Sequence, residues 1–199
     1  MKSIKGFTLI ELLIVVAIIA ILAAIAIPNF LQAQVRSKVA RVRAETRTVA
    51  TGLETYYVDE NGYPGMNDGG GWCTSYTEPP FHARIPSGLT TPISYITSLP
   101  IDPFLTIPAG SFPSPWYNRY TFFNFDQYRM ISGGGFDNQL RRAGNWMIYS
   151  WGPDRDSNQA APNYGENGVY TNYDPTNGTV SLGNIIRTQR NTEKYDVNF

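Results

Sequence analysis

The chain has 199 residues, 16 basic and 16 acidic side chains, a formal net charge of zero and a single histidine. So balanced a chain has no global basic field to gather nucleic acid, and its one cysteine, Cys73, excludes an intrachain disulfide. Eighteen glycines, 14 prolines and 13 tyrosines describe a loop-rich, aromatic-packed domain rather than a helical bundle, and the length allows one domain beyond any anchor.

The first stretch, residues 2–28, dominates the rest. Lys2 and Lys5 precede Gly6, and from Phe7 to Ile27 every residue is apolar or small except Thr8 and Glu11. As a helix that run is about 30 Å long, enough to cross a bilayer core. The lysines place its N-terminal end in the cytoplasm and everything after Pro28 on the far side. Glu11 is the anomaly, because a carboxylate in a membrane helix costs on the order of 2.5–3.5 kcal/mol without a partner. It either snorkels to the cytoplasmic face or meets a cation from elsewhere. No lysine or arginine is within helical reach inside the membrane. A cut between Gly6 and Phe7 would create such a cation, the new α-amino group. An ordinary secretory signal is the rival, with a cleavage site near Ala23, Ala24 and Ala26, but it leaves Glu11 and the short leader unexplained.

Lys5-Gly6-Phe7-Thr8-Leu9-Ile10-Glu11 followed by the apolar helix resembles the N-terminal signature of the type IV pilins and of the pseudopilins of type II secretion, without a gap to about Gln34. The resemblance implies that a prepilin peptidase cleaves between Gly6 and Phe7 and N-methylates Phe7. It implies that the helix is stored in the inner membrane and then drawn, through an assembly platform with minor pilins or pseudopilins, into a helical homo-oligomeric filament. It also implies that Glu11 pairs with the Phe7 amine of a neighbouring subunit. The fold it implies is α+β: a long N-terminal helix on a small antiparallel sheet with long loops. The expected division is a cleaved leader (1–6), a membrane or filament-core helix (7–28), an amphipathic half-helix (29–58) and a globular head (59–199). Many type IV pilins close a C-terminal loop with a disulfide, which this chain lacks.

Pro28 lacks an amide hydrogen and is expected to kink or loosen the helix, yet the helical pattern resumes at once. Val35, Val39, Val42, Thr46, Val49, Leu53 and Tyr56 recur at alternating spacings of four and three, one apolar stripe expected to seat the chain's own head. Arg36, Lys38, Arg41, Arg43 and Arg47 accompany only Glu45. They form either a solvated face or one that meets acidic residues of adjacent subunits. Opposed charge along a neutral chain suits head-to-tail stacking.

The helix is expected to end near Tyr57, before the breaker-rich Asp59-Glu60-Asn61-Gly62-Tyr63-Pro64-Gly65; this phrase also resembles the one that closes the long helix of pseudopilins. His82, far in sequence from Cys73, is read as structural. Residues 88–92 could open a short helix. Leu99-Pro100-Ile101-Asp102-Pro103-Phe104 resembles a phrase of the major pseudopilin, with Phe104 in place of tryptophan. Its prolines hold an extended turn that leaves the Asp102 carboxylate to cap backbone amides.

Strands are expected at 117–125, possible at 127–132, and stronger at 146–151. Asn177-Gly178, between two β-like runs, signals a hairpin, and residues 185–199 read as polar and partly free. After 146–151, Ser150, Gly152 and Asp154 form a Ser-x-Gly-x-Asp phrase that resembles the calcium loop of major pseudopilins. Asp154, Asp156 and Asn158 alternate oxygen ligands as a hard cation prefers. Asp174 is the nearest residue to complete a shell with Ser150, and an ion-free Asx-turn loop is the alternative. No nucleophile–base set, P-loop or C-x-x-C is present, so the residues suggest no enzyme and no cofactor beyond calcium.

Three functions stay open: a pseudopilin driving type II secretion, a pilin of an extracellular pilus (adhesion, motility, DNA uptake), and a membrane-anchored binding domain that never polymerises.

Overall fold

The computed structural model describes residues 7–65, 85–105, 118–127, 143–155, 173–174, 176 and 183–190. One helix, α1 (Leu9–Glu60), runs for 52 residues, with Pro28 inside it. Its ends follow from local chemistry. Thr8 is an extended N-cap, and Asn61, in the left-handed region at φ 53°, is the C-cap, its N–H bonded to the Tyr57 carbonyl at 2.9 Å. Asparagine tolerates that conformation better than most side chains. The helix therefore ends three residues beyond the expected Tyr57.

The stripe is the seam with the head. Val39, Val42, Thr46, Val49 and Leu53 are buried, and Val35 and Tyr56 pack partly buried at its two ends. Ala50 and Gly52, off the stripe, are buried too. Gly52 lies under Ile96: a Cβ there would come within 2.6 Å of Ile96 Cγ2. The glycine allows residues 95–96 to lie on the helix.

Three strands form one antiparallel sheet: β1 (Thr121–Asn124), β2 (Trp146–Ser150) and β3 (Ile185–Thr188), with β2 in the centre. Thr121 pairs with Tyr149, and Tyr149 with Ile186. Phe122, Met147 and Ile148 are sealed inside, and Phe123 stacks on Phe125 and Tyr149 at 6.3 and 6.1 Å between ring centroids. Segment 85–105 begins with a single 3-10 turn, Ser87–Leu89, in place of the expected helix at 88–92. It is sewn to the approach of β1 by Ile85 N–H to the Tyr120 carbonyl, by Asp102 N–H to the Asn118 carbonyl and by a bridge between Ile101 and Arg119.

Three expectations are corrected. The first strand covers Thr121–Asn124 rather than 117–125, because the Asn124 side chain accepts the Gln127 N–H at 3.2 Å and residues 125–127 turn helical. The possible strand at 127–132 thus starts in a helical turn, and its remainder lies outside the described residues. Residues 185–188, expected to belong to a polar, partly free ending, are β3, with Ile185, Ile186 and Thr188 buried. Gln189 and Arg190 continue that attachment, donating to the carbonyls of Trp146 and Ala143. Most of the Asn177-Gly178 hairpin, with Cys73 and His82, lies outside the described residues.

Candidate functional site

Phe7 is 73% exposed at the start of α1, and Gly6 lies outside the described residues. Glu11 is engaged within its own chain. Its Oε2 accepts from the Thr8 N–H at 2.9 Å and the Thr8 hydroxyl at 2.6 Å, while the Glu11 N–H donates to Thr8 Oγ1 at 3.4 Å. This is a reciprocal capping box, which satisfies amides that every helix start leaves orphaned. The positive end of the helix dipole favours a carboxylate there as well. The Thr8-x-x-Glu11 spacing carried that signal in the sequence, and the reading of Glu11 as an acid without an in-chain partner overlooked it.

Beyond Glu11 the helix is bare. Large apolar residues from Leu9 to Leu31 are exposed, and the most apolar window of α1 has a mean hydropathy of 3.2 with no residue buried. Hiding those side chains is worth about 1.5–3 kcal/mol for each one fully covered, so the half-helix calls for lipid or other helices around it. By length and composition it can cross a membrane.

The other half of α1 holds the head by polar contacts at the edge of the apolar seam. Glu54 accepts from Trp146 Nε1 at 2.8 Å and from the Tyr63 hydroxyl at 3.0 Å, and that hydroxyl accepts from Gln189 Nε2 at 2.6 Å. Glu45 accepts from the Tyr120 hydroxyl and pairs with Arg41 at 2.7 Å. Burial, and then the neighbouring Glu45 carboxylate, push the Tyr120 hydroxyl far above the usual tyrosine range; burial and Glu54 do the same to Tyr63. The polar tips of Trp146, Tyr63 and Tyr120 thus end on carboxylates of the helix.

Asp102 ties segment 85–105 to the end of β2. It is 2% exposed; Oδ1 accepts from the Phe104 N–H at 2.9 Å and the Ser150 hydroxyl at 2.8 Å, and Oδ2 accepts from the Trp151 N–H at 3.2 Å. The capping expected of Asp102 is what it does.

Of the residues expected to bind calcium, Ser150 turns its hydroxyl to Asp102 and accepts from the Gly152 N–H at 3.3 Å. Asp154 Oδ2 accepts from the Gly183 N–H at 2.8 Å. Asp174 Oδ1 closes an Asx turn on the Thr176 N–H at 2.8 Å. Asp156 and Asn158 lie outside the described residues. Among the described residues no three acidic, histidine or cysteine side chains converge as a metal site.

The prokaryotic N-terminal methylation motif matches residues 1–27. The chain is 55% identical over 76 residues to a type IV major fimbrial protein of Dichelobacter nodosus, covering 38% of this chain and 47% of that one. It is 49% identical over 59 residues to the type IV major pilin protein PilA of Myxococcus xanthus, covering 30% and 27%. With the type II secretion system core protein G of Pseudomonas aeruginosa it shares 29% identity over 151 residues, 71% of this chain and 94% of that one. The chain spans about half the length of the fimbrial relatives it matches, from 38% to 63%. No solved structure matches. With its methylation motif, long apolar helix and small antiparallel sheet, the chain is similar to type IV pilins over its N-terminal part and to a type II secretion core protein over most of that relative's length.

Proposed function

We propose that the chain is a structural, non-enzymatic subunit of a type IV pilus-like filament and that its filament is the pseudopilus of a type II secretion system. The supporting observation is the extent of the likeness to core protein G, which takes in 94% of that relative, whereas the fimbrial matches take in 63% or less. In this proposal a prepilin peptidase cuts between Gly6 and Phe7 and methylates the new amine. The head stands on the periplasmic side while residues 7–28 rest in the inner membrane. An assembly platform, with minor pseudopilins, then draws the subunit out. Glu11 caps its own helix in the stored subunit and meets the Phe7 amine of a neighbour in the filament. The alternative, an extracellular pilus subunit, is favoured by the higher local identity to fimbrial proteins.

The discriminating experiment is shearing of cells combined with deletion of the gene. A pseudopilin stays with the cells and its loss halts release of folded exoproteins; long fibres in the sheared fraction, with secretion intact, would assign it to a surface pilus. Intact mass of the mature chain tests processing: it is expected to start at methylated Phe7, and a start at Met1 or beyond Ala26 would refute it. Calcium held by Ser150, Asp154, Asp156, Asn158 and Asp174 belongs to the same proposal. It predicts a melting temperature that falls on chelation; an equal melting temperature with and without chelator removes the ion.

A further inference from the structure

Between the bare apolar part of α1 and the head lies a short polar neck. Leu31 ends the apolar run at 52% exposed, and Val39 is the first residue of the helix that the head buries. Between them Gln32, Gln34, Arg36 and Ser37 are exposed and Lys38 is half-buried, and α1 runs through without a break. Arg36 and Lys38 form no ion pair with any described residue. Glu45 pairs with Arg41 and takes the Tyr120 hydroxyl, and Asp102 already accepts from three donors.

Height along the axis decides which basic residues can meet a bilayer. With Glu11 at one edge of the hydrocarbon, Leu12 to Leu31 make roughly 20 residues, ~30 Å of helix, the thickness of the core. The Cα atoms of Arg36 and Lys38 then stand ~8 and ~10 Å beyond the far edge, and those of Arg43 and Arg47 ~18 and ~24 Å. The headgroup layer is roughly 5–8 Å deep on each side. Long side chains lean toward the helix N-terminus and snorkel, so Arg36 and Lys38 reach back to phosphate; the same lean leaves Arg43 and Arg47 outside the layer. The Lys38 ammonium is also held in place. It lies 5.9 Å from the centre of the Phe104 ring, a cation–π distance, and Phe104 is buried with its N–H on Asp102. The head itself thus positions one of the two cations.

The side on which these charges lie is unusual. Basic residues beside a membrane span normally gather on its cytoplasmic side. Here residues 36–47 carry five, all on the head's side, against Lys2 and Lys5 before the span, and those two leave with the leader in the processing proposed above. Resting on that reading of a subunit stored in the membrane, we propose that Arg36 and Lys38 form a collar that binds the phosphates of anionic phospholipids in the leaflet on the head's side. The apolar run and the collar are consecutive parts of one helix, so the lipid that covers the first presents its headgroups to the second. Through Lys38 and Phe104 the bound lipid also fixes the height of the head above the bilayer.

The test uses the full chain reconstituted in phosphatidylcholine bilayers containing a minor share of phosphatidylglycerol, with spin-labelled lipids reporting which species the protein immobilises. The unaltered chain is expected to select phosphatidylglycerol. At roughly fivefold per basic residue, Arg36→Gln with Lys38→Gln should cut that selection by ~10-fold or more, whereas Arg43→Gln with Arg47→Gln should leave it nearly unchanged. Arg36→Lys with Lys38→Arg keeps both charges and should keep the selection. A cut below about twofold in the first pair would overturn the collar, as would an equal cut in the second pair, which would make the effect a diffuse field of the whole basic stretch. Loss of selection on adding millimolar inorganic phosphate at constant ionic strength would make the site one for a free anion and overturn it too. Release of the unaltered chain from these vesicles by alkaline carbonate would instead sink the membrane reading on which the collar rests.

Discussion

Replacing Asp102 should unfasten the head at one buried point. Its carboxylate accepts three hydrogen bonds, from Phe104 N–H, Ser150 Oγ and Trp151 N–H, at a site 2% exposed. Hydrogen bonds to a charged group contribute about 1.5–3 kcal/mol each, and an orphaned buried donor costs about 1–3 kcal/mol. The three donors share one acceptor group and the site relaxes, so the sum is an upper bound. Asp102→Ala is expected to cost about 3–5 kcal/mol, a large share of the ~5–15 kcal/mol of a typical domain. Asp102→Asn keeps the shape but turns an NH₂ toward a donor, for about 2 kcal/mol. Urea unfolding of the full chain in detergent, followed by near-ultraviolet circular dichroism of the packed aromatics, measures both. Ser150→Ala should cost about 1 kcal/mol alone and less in the Asp102→Ala background, where its hydroxyl is already stranded. A loss below 1 kcal/mol for Asp102→Ala, or full additivity of the pair, would refute the clamp.

Replacing Glu11 with Ala or Leu should leave membrane insertion intact and abolish filaments; normal filaments would dispose of the pairing argument. Gly52→Ala gains about 1 kcal/mol of helix propensity but drives a methyl to 2.6 Å from Ile96 Cγ2, an overpacking cost of about 1–3 kcal/mol. It should destabilise alone and stabilise in an Ile96→Ala background, and stabilisation in the unaltered background would show that residue 96 yields freely. Tyr120 must stay protonated in the fold while an unfolded tyrosine titrates near 10. Stability is therefore intact below about pH 10 and falls as pH rises beyond it, by at most ~1.4 kcal/mol per pH unit for this residue and by less for the more solvated Tyr63. Urea midpoints between pH 9 and 11 should slope downward and flatten in Tyr120→Phe; a flat profile in the unaltered chain contradicts the burial of that hydroxyl beside Glu45.

Much was legible before any coordinates. The 4–3 recurrence from Val35 to Tyr56 identified the face of α1 that seats the head, because a 3.6-residue period records which side of a helix leaves water. The apolar run after Phe7 and the place of Glu11 within it are local properties of a contiguous segment. So is the extended turn of Pro100 and Pro103 that presents Asp102. What the sequence lacked was partners far along the chain. That Asp102 meets Ser150 across 48 positions, that Glu54 receives Trp146 across 92, and that Ile185 and Ile186 form a strand inside a polar ending depends on which backbone lies alongside. A four-residue strand has too few residues to show a period, and a carboxylate shows no sign in sequence of the donor it will accept. Short-range periodicity writes helices and their buried faces into the chain, while sheet pairing and the polar clamps are decided only when distant segments are brought together.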